Sequence, residues 1–341
     1  MTAILILGGT EFVGRAIADV AIARGHEVTL LNRGTRAAPE GARQITADRR
    51  DARMLEQALR EAAGTWDAAL DTWSWEPFVV RDTARLLESR VHRSLYVSTR
   101  SVYAHPLPPG AGETHPLVEG SADDGDPARG GGSSEIAYPR LKAGAEKAVI
   151  EAFGPDRSYI VRPGLVLGPH ENVGRLPWWL TRIARGGEVL APGDPASGIQ
   201  YIDARDLAGW MLDLATGTAP AGCYDAVSPA GLHTLGELLE ACVRATGSDA
   251  RLRWMTEQRI LAAGIEPWTE LPIWLPQGPD HEAMHESDTT KAVRAGIRLR
   301  PLAQTVDDTW AWLTSIGGRA PQRLDRPALG LAPERERELL R

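Results

Sequence analysis

The chain has 341 residues, 43% of them apolar and 24% charged, with a formal net charge of −7. That length holds one large α/β domain and a smaller lobe. The acidic balance argues against nucleic acid as the main partner, because a phosphate backbone needs a basic face, and no apolar run approaches the length of a bilayer span. The two cysteines, Cys223 and Cys242, are not spaced as metal ligands. They suit a reducing compartment, and the N-terminus shows no signal peptide, so a cytoplasmic protein without a metal or membrane partner is expected.

Residues 4–7, Ile-Leu-Ile-Leu, predict a strand that runs straight into Gly8-Gly9-Thr10-Glu11-Phe12-Val13-Gly14, and residues 13–24 predict a helix. Strand, glycine turn and helix form the opening of a dinucleotide-binding unit, with an anion site at the helix N-terminus. Glycine turns after strands also occur for structural reasons alone. Gly8 would make the tight turn and Gly14 would let the helix pack on the sheet. The middle glycine is replaced by Glu11, whose carboxylate is expected to point outward and leave the backbone N–H groups of residues 11–13 to a pyrophosphate.

Further strands are predicted over 27–31, 43–46, 66–70 and 94–97, with helices over 54–63 and 78–89. This alternation predicts a Rossmann-type, doubly wound parallel α/β sheet. Residues 104–134 read as a loop whose Gly/Ser/Asp-rich end, 120–134, is either a surface loop or a lid. A helix over 139–153 and a strand over 159–161 follow. From about 170, helical stretches (178–184, 204–214, 235–245) alternate with Pro/Gly loops and short strands, which predicts a smaller C-terminal substrate lobe. The expected units are 1–169, 170–316 and a tail 317–341 that ends in a helix over 333–340, with strands of 198–215 returning to the main sheet.

At the end of the second strand, where a carboxylate would bind the 2′-hydroxyl of NAD, stand Asn32, Arg33 and Arg36. Two cations and no carboxylate suit a 2′-phosphate, so NADP(H) is expected; the other reading is two solvated loop charges. Tyr138 and Lys142 lie four apart, on one face of a helix, and Pro139 fixes Tyr138 at the helix mouth. An ammonium beside a phenol stabilises the phenolate and fits it for acid/base work. Thr99 stands at the C-terminal end of a parallel strand, where such sheets place ligands, and can donate to a substrate carbonyl; Ser98, Thr99 and Ser101 can equally end the strand by bonding backbone.

The glycine turn, Thr99 four before Tyr103, Tyr138-x-x-x-Lys142, Arg162-Pro163…Gly168-Pro169 and Ile202-Asp203-Ala204-Arg205-Asp206-Leu207-Ala208 come in an order that resembles the extended short-chain dehydrogenase/reductases, the sugar-nucleotide epimerase/dehydratase branch and its atypical relatives, over residues 2–315. The Gly-Gly-Thr-x-Phe-Val-Gly form resembles an atypical subgroup that includes plant chloroplast RNA-associated members and many bacterial proteins of unassigned substrate. The resemblance implies a catalytic Thr99, Tyr138 and Lys142. Tyr138 exchanges a proton with the carbinol oxygen, Thr99 holds that oxygen, and Lys142 binds the nicotinamide ribose and depresses the tyrosine pKa. It implies an adenine site at Asp48-Arg49, with Asp71, Thr72 and Trp73 along the middle of the cofactor. Gly8, Thr10, Glu11, Phe12, Val13, Pro163 and Gly164 complete that set. A homodimer through the helices beside the fourth and fifth strands is also implied.

Arg100 follows the triad hydroxyl where such enzymes usually carry a small or apolar residue, and it is expected either to reach the substrate or to turn outward. Leu165 replaces the asparagine that sugar-nucleotide enzymes use near the substrate phosphates. Arg175, Trp178, Trp179, Gln200 and Tyr201, with Trp73 and Trp75, suit a flat polar small molecule such as a nucleoside-like ketone, unless the tryptophans are core. Three functions are left. The first is an NADPH-dependent ketone reductase of specialised metabolism. The others are a sugar epimerase or dehydratase with bound NAD, and a non-catalytic NADP-binding or RNA-associated protein.

Overall fold

The computed structural model describes residues 2–129, 136–320, 322–323 and 328–341. β1 (Ala3–Leu7) leads to α1 (Phe12–Ala23), followed by β2 (Glu27–Asn32), β3 (Ala42–Thr46), α2 (Ala52–Ala62), β4 (Trp66–Asp71), α3 (Pro77–Leu87) and β5 (Val91–Val97). After a long connection come α4 (Tyr138–Phe153), β6 (Ser158–Pro163), β7 (Leu165–Leu167), α5 (Arg175–Ala184), β8 (Glu188–Pro192), β9 (Gly198–Ile199), β10 (Tyr201–Asp203), α6 (Ala204–Thr216) and β11 (Gly222–Ala226). The chain closes with β12 (His233–Thr234), α7 (Leu235–Thr246), β13 (Arg251–Met255), α8 (Glu257–Ala262), α9 (Pro279–His285), α10 (Thr290–Arg294), α11 (Leu302–Ser315) and α12 (Pro333–Leu339).

The central sheet has the order β11-β6-β5-β4-β1-β2-β3, and every neighbouring pair is parallel. Parallel strands need both faces covered, which is why β1 reads as an unbroken apolar run rather than an alternation. Ile4 and Ile6 pack toward α1 and α6 in one core, and Leu5 and Leu7 pack toward α2, α3 and α4 in the other. All seven strands end at the same edge, so Leu7 is level with Leu31 and Asp71. The residues after β1, β2, β4 and β5 therefore meet along one crevice, the place where such sheets hold ligands.

The lobe is built on three small two-stranded pairings, β7 with β10, β8 with β13 and β9 with β12. α5, α7 and α11 enclose its core, in which Trp179 and Trp274 are fully buried. The boundary at 169 is not a clean cut. The expected return of strands from 198–215 is corrected: β10 pairs with β7, outside the central sheet, and the pieces that return are α6, packed on α1, and β11, paired with β6. β11 escaped prediction because Gly-Cys-Tyr-Asp-Ala offers neither an apolar run nor an alternation.

Residues 120–129 are pinned. Arg81 binds Asp82, Asp123 and Asp126, Arg140 binds Asp124, and Lys147 Nζ donates to Gly120 O at 2.7 Å. The rest of the segment read as surface loop or lid, 130–134, lies outside the described residues. Among the described residues no helix is long and apolar enough to cross a membrane, and no group of three or more His, Cys, Asp or Glu is placed to hold a metal.

Candidate functional site

The crevice opens on the glycine turn. Gly8 lies at φ +120°, and a Cβ there would stand 2.5 Å from Thr72 Oγ1. A Cβ on Gly14 would meet the Gly9 nitrogen at 2.9 Å, so α1 approaches the turn closely enough to require glycine. Glu11, the residue before α1, makes no capping hydrogen bond, and α1 has no acidic residue in its first turn. Its leading N–H groups and positive dipole end face the turn without a side-chain anion. This glycine cradle fits a dinucleotide pyrophosphate. Thr10, Phe12 and Val13 border it, the last two partly buried against the first core.

Asn32 is occupied rather than open. Its Nδ2 donates to Gly8 O at 3.1 Å, and its Oδ1 accepts from Gly34 N at 2.9 Å and Gln44 Nε2 at 2.7 Å. It braces the turn and brings no carboxylate to the end of β2. Arg33 is exposed and has no ion-pair partner among the described residues, whereas Arg36 Nε binds Glu11 Oε1 at 2.8 Å. Glu11 keeps nearly half its side chain in solvent, as expected of an outward carboxylate, but its other oxygen accepts from Asn172 Nδ2 at 3.0 Å.

Deeper in the crevice, Arg49 and Asp71 spend their side chains on each other. Two parallel bonds of 2.8 and 2.6 Å join them, Arg49 Nε reaches Thr83 Oγ1, and both are buried. Of the implied adenine pair only Asp48, half-buried and accepting from Arg50 N, faces outward. Asp71 also accepts from Trp73 N at 2.9 Å, and the guanidinium groups of Arg49 and Arg50 lie 5.1 and 4.8 Å from the centre of the Trp73 ring. Thr72 Oγ1 donates to Leu7 O at 3.0 Å. Pro163 ends β6, and Gly164 lies against Val227, where a Cβ would come within 3.3 Å.

The structure sets Thr99 just past β5, Tyr138 as the first residue of α4 and Lys142 one turn further on. Thr99 Oγ1 accepts from Ser101 N and donates to Ser101 Oγ, both at 3.2 Å. Lys142 is 1% exposed, and its Nζ donates to Trp73 O at 2.8 Å and Val97 O at 2.5 Å. The Tyr96 ring lies beneath it at 4.3 Å, and the Tyr96 hydroxyl shares the Trp73 carbonyl. Burial pulls the Lys142 ammonium down to about 7, against the opposing charges of Asp71 and Glu146.

The folded chain thus binds fewer protons than the unfolded chain between about pH 7 and lysine's usual 10.5. The stability penalty of Lys142 is whole below that window and fades as pH rises through it. Lys142→Met is therefore expected to raise the melting temperature relative to wild type most near pH 6, and progressively less toward pH 10. A gap that does not change with pH would show that the ammonium is fully compensated.

Arg100 corrects an expectation. It is 5% exposed, and its guanidinium binds Asp225 at 3.4 Å and the carbonyl of Ala283 at 2.9 Å. It does not turn outward to solvent, because a charge at that depth needs partners, and its stem lies beside Gly164. Gln200 is likewise enclosed, bonded to Ser228 O, Ser287 O and Ser287 N, and Tyr201 is core. Arg175 lies over the Trp268 ring at 5.0 Å. Trp178 stacks edge-on against the buried Trp179 and lies under the tail at Gly330, away from the strand ends. Trp73, just past the end of β4, is partly buried, and its indole N–H donates to Glu76 O at 3.1 Å.

A buried network lies behind Thr99 and Lys142. Glu146 takes Arg162 through bonds of 2.9 and 2.6 Å and also accepts from Ser98 Oγ, the neighbour of Thr99. Arg162 Nη1 donates to the Tyr103 hydroxyl at 3.1 Å, which donates to Asp225 at 2.6 Å, and Asp225 holds Arg100. Burial pushes the Asp225 carboxyl up to about 6. The one trace in the sequence is that Glu146 follows Lys142 by four, so α4 presents both to β5.

The comparisons with known proteins agree with this architecture. The chain is 29% identical over 292 residues, 79% of its own length and 84% of the relative's, to a 2-alkyl-3-oxoalkanoate reductase of Stenotrophomonas maltophilia. It is 28% identical over 183 residues, 49% of its length and 51% of the relative's, to a 4-hydroxy-2-methyl-3-oxo-4-farnesyl-3,4-dihydroquinoline-1-oxide ketoreductase of Stigmatella aurantiaca. Among solved structures it resembles the enzyme WbmH of Bordetella bronchiseptica in complex with NAD+, with a TM-score of 0.65, 17% identity and coverage of 93% and 100% of the two chains. The family model of the NAD dependent epimerase/dehydratase family matches residues 4–220, the whole stretch from β1 to just before β11, and the chain is a member of that family.

Proposed function

We propose that the protein is an NADPH-dependent reductase of a ketone on a polar small molecule. The observation that carries the reading is the end of β2. Its asparagine is spent on the glycine turn, and the charged groups there are Arg33 and Arg36, which match a 2′-phosphate. Leu165 supports a substrate other than a nucleotide sugar, since it lies buried in β7 and offers no donor. The Stenotrophomonas relative, named for a 3-oxo acid, supports a ketone.

When bound, the dinucleotide supplies the hydride. Tyr138 passes its phenolic proton to the substrate oxygen, and Thr99 turns its hydroxyl from Ser101 to hold that oxygen. Lys142 uses two of its three donors on Trp73 and Val97. The third is left for the nicotinamide ribose, while the charge of the ammonium, one turn away, favours the phenolate of Tyr138.

A second reading, a sugar epimerase or dehydratase that retains NAD, draws on the family description and on the NAD+ complex of the Bordetella enzyme. Titration of the purified protein with NADPH and NADH, followed by NADPH consumption with 3-oxo acids, separates the two. The expected result is tighter NADPH binding and ketone-dependent oxidation. Retained NAD with no preference for NADPH would sink the reductase reading.

A further inference from the structure

Glu11 stands where the middle glycine of the turn would be, and its side chain does something a glycine cannot. Its backbone is extended, φ −133° and ψ 141°, as suits a residue that caps a helix, yet its carboxylate caps nothing. It reaches away from α1 and takes a donor on each oxygen, Arg36 Nε at 2.8 Å and Asn172 Nδ2 at 3.0 Å. Arg36 belongs to the connection between β2 and β3, and Asn172 to the segment that leads from β7 into the lobe. One carboxylate thus joins the pyrophosphate turn, the cationic end of β2 and the entrance of the lobe.

We infer that Glu11 is a latch on the cofactor site: it holds Arg36 in the unliganded chain, and the 2′-phosphate of NADP(H) has to take that guanidinium from it. This rests on the NADP(H) reading above. Arg36 and Glu11 keep 56% and 47% of their side chains exposed, so their pair is weak enough for a ligand to break. A phosphate monoester carries up to two negative charges and three acceptor oxygens and outcompetes a half-solvated carboxylate for a guanidinium fork. NAD(H) has no group that needs Arg36 and leaves the pair closed. Repulsion between Glu11 and the pyrophosphate falls on both dinucleotides alike and cancels in the ratio of their affinities. What remains in the ratio is the cost of opening the latch, borne by NADP(H) alone. The residue in the middle glycine position thereby tunes cofactor choice from a place that does not touch the ribose pocket in sequence.

The test is an equilibrium titration of the full chain with NADPH, NADH, 2′,5′-ADP and 5′-AMP, read by tryptophan fluorescence or calorimetry. It compares wild type with Glu11→Gln, Glu11→Ala, Arg36→Ala and the double variant Glu11→Gln/Arg36→Ala. Kd(NADH)/Kd(NADPH) and Kd(5′-AMP)/Kd(2′,5′-ADP) are expected to rise about fivefold in both Glu11 variants, and the rise is expected to vanish without Arg36. A ratio within twofold of wild type, or an equal rise in the Arg36→Ala background, overturns the latch. A wild type that favours NADH refutes the NADP(H) reading by itself, whatever the Glu11 variants do, whereas NADPH preference with an unchanged ratio refutes the latch alone.

Discussion

Tyr138→Phe is expected to lower kcat for NADPH-dependent ketone reduction by about 10²–10⁴-fold, the usual worth of a positioned proton donor. Dinucleotide affinity and melting temperature should stay near those of wild type. The ring is retained at the first turn of α4, where Pro139 fixes the start of the helix, so packing changes little. Lys142 keeps its bonds to Trp73 and Val97, and the ribose side of the site is untouched. The loss should therefore fall on kcat rather than on KM, the pattern of an interaction made only in the transition state. Single-turnover kinetics with saturating NADPH measure it directly, and a variant that turns over within tenfold of wild type would remove Tyr138 from the proton-transfer step.

Glu146→Ala should be the most damaging single change to stability at the site, costing about 3–5 kcal/mol. Glu146 and Arg162 are each 3% exposed, and two short bonds join them. Truncating the carboxylate strands a guanidinium far from water and frees Ser98 Oγ, next to Thr99. Arg162 is left with one neutral partner in the network, the Tyr103 hydroxyl. Denaturant unfolding of Glu146→Ala, Arg162→Met and the double variant measures the coupling. The double variant should be markedly more stable than the sum of the two losses, because removing both charges leaves none uncompensated. Strict additivity would mean that the pair contributes nothing as a pair.

The parts of the molecule that could be read from the chain are those whose signal is local. Strands buried on both faces show plainly as apolar runs, as β1 does, and Pro139 marks the start of α4 because proline fits a helix only in its first turn. The four-residue spacing of Tyr138 and Lys142 fixes them on one face whatever surrounds the helix. The polar residues at strand ends were another matter. Arg49, Arg100 and Gln200 all looked like ligand contacts, but successive residues there point to opposite sides, and a shift of one position exchanges core for crevice. Their partners settle the direction, and these lie far along the chain: Asp71 for Arg49, Asp225 for Arg100, Ser287 for Gln200. No local pattern records such pairings. Glu11 illustrates the same limit, since its outward direction follows from the turn while Arg36 and Asn172 come from two other segments.

The placement of β11 also bears on how the chain is made. β6 ends at residue 163 and its outer neighbour begins only at residue 222. Between them the ribosome must deliver four short strands, α5 and α6. Through that interval the nascent chain carries a six-residue strand, every residue of which is buried in the finished protein, with one row of backbone groups unpaired. An open edge of this kind invites strand addition from a neighbouring polysome product. Sheet and lobe therefore mature together, and translation pausing between residues 163 and 226 would lengthen the time in which the half-made sheet can aggregate.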